Sequence, residues 1–106
     1  MSRFSLEDLA AIIAARADST AEKSYTKSLL EAGPARAAKK FGEEAVEAVI
    51  AAIEGERAGL IRESADVIYH LIVLLRARDI SLEDVMNELE SRTGRSGHAE
   101  KAGRCS

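Results

Sequence analysis

The chain of 106 residues has no tryptophan, two phenylalanines, two tyrosines, one proline and one cysteine. With so few large rings, its 46% hydrophobic content rests on alanine, leucine, isoleucine and valine. The core must therefore be built from small and aliphatic side chains. A single proline leaves nearly the whole chain free to be helical, and the dominant residues all tolerate helix, so the fold class is all-α. The single cysteine, Cys105, excludes an intrachain disulfide. No apolar run approaches the roughly 20 residues of a membrane span, and no segment has the pattern of a secretory leader. The longest apolar stretch, Val67 to Leu75, is broken by His70. A basic excess is also missing: 15 Lys and Arg face 18 Asp and Glu, for a net charge of −3. That balance argues against a dedicated nucleic-acid binder. The expectation is one cytoplasmic domain with no membrane and no nucleic-acid partner.

What is present is helical periodicity broken at five or so places. Ser5 is a candidate N-cap, followed by Glu7 and Asp8 in a first turn where the helix dipole favours acids. Leu6, Leu9, Ile12 and Ile13 then form one apolar face that fades by Asp18. Residues 18 to 28 are polar and read as a loop. Two readings compete for Ser24-Tyr25-Thr26-Lys27. In one, Ser24 or Thr26 caps a short helix over Leu29 and Leu30, and Tyr25 covers the core edge. In the other, the hydroxyls and Lys27 face a phosphorylated ligand. Gly33-Pro34 then ends one helix and starts the next. The third helix runs from Pro34 to Glu54, with Ala38, Phe41, Ala45, Ala48, Val49 and Ala52 as a stripe of mostly small residues. Gly55 and Gly59 bracket a tight connection, and a fourth helix follows from about Leu60 to Arg78. Within Val67 to Leu75 apolar side chains cover its whole circumference, which demands burial on every side. A chain this short cannot supply that cover, so a homodimer with a shared helical core is expected. Ser81 to about Gly94 forms a fifth helix, and the Gly- and Ser-bearing basic tail, 95 to 106, lies outside the domain of residues 1 to 94.

The chemistry concentrates between residues 40 and 70. Glu43, Glu44 and Glu47 lie on the third helix, Glu63 and Asp66 on the fourth. Residues three apart on a helix are separated by about 60° of arc, so Glu44 with Glu47, and Glu63 with Asp66, each share a face. Antiparallel packing brings the two pairs together as a cluster that repels itself. A hard divalent cation with oxygen ligands, Mg²⁺ above all, removes that repulsion. The plain alternative is a set of surface ion pairs: Lys40 with Glu44, Lys39 with Glu43, and Arg62 with Asp66, each four residues apart. His70, on the Glu63 and Asp66 face, reads as a hydrogen-bonded core histidine.

The spacing EExxE (43 to 47) followed by ExxD (63 to 66) resembles the motif of the MazG-like all-α nucleoside-polyphosphate pyrophosphohydrolases. Within that superfamily, SYTKSLLEAGPARAAKKFGEEAVE (24 to 47), ESADVIYHLIVLL (63 to 75) and DISLEDVMNELESR (79 to 92) resemble the phosphoribosyl-ATP pyrophosphohydrolase family. The resemblance implies a MazG-like bundle of about five helices. It also implies Mg²⁺-dependent hydrolysis of phosphoribosyl-ATP to phosphoribosyl-AMP and pyrophosphate, the second step of histidine biosynthesis. Carried over residue by residue, it places metal ligands at Glu44, Glu47, Glu63 and Asp66. Glu43 becomes an outer ligand or a water-orienting base. Lys40 is then the leading phosphate contact, with Lys39, Lys27, Tyr25, Arg92 and Arg95 as further substrate-binding candidates. The alternatives are a house-cleaning dNTP or NTP pyrophosphatase of the same superfamily, and a non-catalytic helical adaptor dimer.

Overall fold

Five helices follow one another in the structure, a computed structural model that describes residues 3–20 and 24–94. They are α1 (Leu6–Ala17), α2 (Tyr25–Ala32), α3 (Pro34–Glu54), α4 (Arg57–Ala77) and α5 (Leu82–Thr93). Local chemistry sets most boundaries. At α1, Ser5 Oγ accepts from the Asp8 amide at 3.1 Å and the Asp8 carboxylate accepts from the Ser5 amide at 3.0 Å. This reciprocal box satisfies two helix-end donors at once. Ser24 caps α2 by accepting from the Lys27 amide at 3.0 Å, and its own proton goes to the Arg16 carbonyl at 2.9 Å. One hydroxyl thus ties the end of α1 to the start of α2.

The loop expected over residues 18 to 28 is accordingly shorter, because α2 begins at Tyr25. Ser and Thr lower helix propensity only when their hydroxyls compete for nearby backbone. Here Thr26 is fully buried and its hydroxyl is spent on Tyr69 of α4. Gly33 ends α2 with φ 98° and ψ 170°, a conformation essentially reserved for glycine, and Pro34 opens α3.

α3 and α4 form a hairpin that dominates the molecule. Its link is tighter than expected. Gly55 adopts the left-handed conformation, its amide and that of Glu56 bonding back to Ala52 and Ala51, and α4 starts at Arg57. Gly59 is therefore a buried residue inside α4 rather than part of the connection.

The facing seam of α3 is also displaced from the expected small-residue stripe. Ala37 and Ala51 are buried, with Phe41, Glu44 and Ala48 half-buried between them, while Ala38, Val49 and Ala52 are exposed. The seam spacing is four, three, four, three, the repeat of close helix pairs. Glu44 thus occupies a seam position, with alanines on either side keeping the helices close.

The core is concentrated at one end of the hairpin, where Ile13, Leu29 and Ala37 pack with Ile72 and Val73 of α4. α5 is capped by Ser81, which accepts from the Asp84 amide at 3.1 Å, but none of its residues is buried.

Candidate functional site

Midway along the hairpin, Glu44 of α3 meets Glu63 and Asp66 of α4. One carboxylate oxygen from each lies within 4.8 Å of the others, a spacing at which three oxygens can share one cation. Glu47 stands outside that triplet, yet its charge acts on Glu63 more strongly than that of Glu44 or Asp66. The Glu63 carboxyl is held above its ordinary value of 4.5, first by desolvation in the half-buried seam, then by the charges of Glu47, Glu44 and Asp66, and finally by a hydrogen bond shared with Glu44. Three of the four expected ligands therefore converge, with Glu47 near enough for its charge to act on Glu63, and the donors are all carboxylate oxygens. That set fits a hard divalent ion such as Mg²⁺ and not a softer metal seeking nitrogen or sulfur.

The ion pairs that would have neutralised these acids do not form among the described residues. Lys40 leans to Glu43 at 3.4 Å instead of Glu44, and Arg62 reaches Glu56 at 3.7 Å instead of Asp66. Glu43 is thereby drawn away from the triplet, onto a shallow surface it shares with Lys39, Gly42, Val46 and Glu47. Lys40 sits at the rim, its ammonium held above 10.5 by Tyr25 first and then by Glu43 and Glu44. It is thus a permanent cation one helical turn from Glu44.

The remaining candidates divide. Ser24 and Thr26 are buried and fully engaged in joining helices, so neither hydroxyl faces a ligand. Lys27 is half-buried in the first turn of α2. Arg92, far along α5, is paired with Glu88 at 2.9 Å. Arg95, Cys105 and the tail from 95 to 106 lie outside the described residues.

His70 is the hydrogen-bonded core histidine expected of it, but the polar chain it belongs to was not foreseen. The Tyr25 hydroxyl is 3.1 Å from His70 Nε2, and His70 Nδ1 is 2.8 Å from the Asp66 carbonyl. Tyr69 completes the group by stacking on Tyr25, with centroids 6.4 Å apart. The sequence marked His70 as the break in the run from Val67 to Leu75, but nothing in it joined that residue to Tyr25 of α2.

The profile of the family described as phosphoribosyl-ATP pyrophosphohydrolase matches residues 6–93. The chain is 58% identical over 104 residues to the phosphoribosyl-ATP pyrophosphatase of Methylobacterium radiotolerans, covering 98% of this chain and 97% of that one. It is 59% identical to the protein of the same description from Agrobacterium fabrum, with the same coverage of both chains. A phosphoribosyl-ATP pyrophosphatase 1 of Rhodopseudomonas palustris is 58% identical, again over 98% and 97% of the two chains.

Proposed function

The chain belongs to the phosphoribosyl-ATP pyrophosphohydrolase family, and from that premise we propose that the cleft between α3 and α4 is where its chemistry occurs. The activity is hydrolysis of phosphoribosyl-ATP in histidine biosynthesis. The bond cut is the α–β phosphoanhydride, releasing phosphoribosyl-AMP and pyrophosphate. The observation that carries the site is the convergence of Glu44, Glu63 and Asp66 within 4.8 Å, with no cation side chain among them.

Glu44, Glu47, Glu63 and Asp66 hold Mg²⁺ in this reading. When bound, the ion supplies charge to the phosphoryl oxygens, acidifies an attacking water and neutralises the departing pyrophosphate. The protein's own groups do the rest. The four carboxylates come from two helices locked in one hairpin, so their spacing is set before substrate arrives. Lys40, charged throughout the physiological range, draws a phosphate toward the rim. Glu43 lies beside Lys40 and restrains that ammonium, so it acts at the rim rather than among the ligands.

Steady-state release of pyrophosphate from phosphoribosyl-ATP tests this. Glu47→Gln and Asp66→Asn, each shown to fold by circular dichroism, should each lower kcat at least about 100-fold, the scale on which losing a transition-state electrostatic group acts. Activity surviving in both would overturn the site, and a preference for dNTPs measured in parallel would overturn the substrate.

We further infer that a second copy completes the core. Val46, Val49, Ile50 and Ile53 form an exposed stripe on α3, and Ile61 and Ile68 stand exposed on α4. An exposed apolar stripe of this kind on a small domain marks an association surface. It also agrees with the apolar circumference of α4, which the single chain leaves partly open at Ile68.

A further inference from the structure

α2 is joined to α4 by two consecutive polar rungs, Thr26 with Tyr69 and Tyr25 with His70. The second rung has a direction. His70 is 6% exposed and its Nδ1 lies 2.8 Å from the Asp66 carbonyl oxygen. A carbonyl can only accept, so Nδ1 carries the proton. In the neutral imidazole Nε2 is then bare and can only accept. The one phenolic proton of Tyr25 must therefore point at His70, leaving its oxygen with nothing but lone pairs to offer.

That oxygen is well placed for a ligand. The Tyr25 ring stacks on Tyr69 at 15° and meets the His70 ring edge-on at 82°, so the phenol is clamped on two sides. The residue is nevertheless 52% exposed. One imidazole, that of His70, separates it from the backbone of Asp66, and so it borders the acidic cluster. An immobilised group that only accepts has no use for a phosphate, whose oxygens also accept.

We propose that Tyr25 recognises the sugar of the nucleotide. Its oxygen accepts a hydrogen bond from a hydroxyl of the ribose adjoining the α-phosphate, and His70 is the positioning residue that takes the phenolic proton. The inference rests on the reading that the polyphosphate lies at Glu44, Glu63 and Asp66. The donors of a nucleotide are its sugar hydroxyls and base nitrogens. Of these, the hydroxyls of the ribose adjoining the α-phosphate are the donors covalently nearest the polyphosphate.

Two measurements test it. Nitrogen-15 NMR of the imidazole in the ligand-free protein at pH 8 should find the ring proton of His70 on Nδ1; a proton on Nε2 overturns the proposal. Kinetics at the same pH should then compare phosphoribosyl-ATP with its 2′-deoxy and 3′-deoxy forms at that ribose. One deoxy substrate should raise KM about 5- to 10-fold in the wild type, the effect of one lost hydrogen bond. Tyr25→Phe should raise KM for the ribose substrate by a similar factor, with the larger part of the change in KM and not in kcat. The two losses should not multiply when combined, because they remove the same contact. His70→Gln, which keeps an acceptor within reach, should retain the ribose preference, and His70→Leu should lose it. Multiplicative losses with both deoxy substrates, or equal preference in the two His70 variants, overturns the proposal. A wild type inactive on phosphoribosyl-ATP would instead overturn the functional reading beneath it.

Discussion

Glu63 carries the cost of the site. Its native carboxyl is held above 4.5, so the folded state binds this proton more tightly than the unfolded chain. The associated stability is fully present below the unfolded value and is lost as pH rises through the raised native one. In EDTA, Glu63→Gln should therefore melt above the wild type at pH 7.5, and the gap should close by about pH 4. Mg²⁺ should invert the order at pH 7.5, since the wild type then gains binding energy that the glutamine forfeits. Thermal melts under the four conditions check this, and a glutamine variant equally stabilised by Mg²⁺ would remove Glu63 from the ligand set. Thr26 is a separate case, fully buried and bonded to the Tyr69 hydroxyl. Thr26→Val keeps the shape and strands that hydroxyl, so urea denaturation should show a loss of about 1–3 kcal/mol.

At the scale of elements, glycines of different conformation predict opposite outcomes. Gly33 has φ 98° at the junction of α2 and α3, where any side chain is strained. Gly33→Ala should cost about 1–3 kcal/mol. Gly42 lies in the interior of α3, exposed, with nothing within 4 Å of an added Cβ. Gly42→Ala should stabilise by about 0.5–1 kcal/mol, the helix preference of alanine. Denaturation midpoints of the two variants, read against the wild type, settle both signs. Caps and breaks were legible because they depend on neighbours in sequence: Ser5, Ser81, Pro34 and the Gly55 turn all fall where local chemistry puts them. The start of α2 was legible only as one of two alternatives, the Ser24 cap, because the burial of Thr26 against Tyr69 depends on a residue 43 positions away.

For the whole molecule, the deciding quantity is apolar surface. Among the described residues, six hydrophobic side chains are buried and two of those are alanine, a thin core for a chain of this size. Ile53 is 80% exposed, and on a monomer Ile53→Asp would change stability little. On a dimer it should shift the mass found by sedimentation from two chains toward one. The wild-type Tm should also rise with protein concentration, as it does when folding and association are linked. A wild type that sediments as a single chain at every concentration would refute the dimer.

The sequence by itself determined the helices, their faces to within about half a turn, and the identity of the acids, because all of these follow from periodicity and nearest neighbours. Tertiary structure alone decided which acids converge: Glu44 falls on the seam beside Glu63 and Asp66, whereas the Lys40–Glu43 pair is local to α3. It alone also gave the phenolic proton of Tyr25 a direction, through His70 and the Asp66 carbonyl. Spacing along a helix specifies an angle, whereas a ligand set and a hydrogen-bond chain require distances between separate helices. Those distances are set by how closely alanines such as Ala37 and Ala51 let α3 and α4 approach.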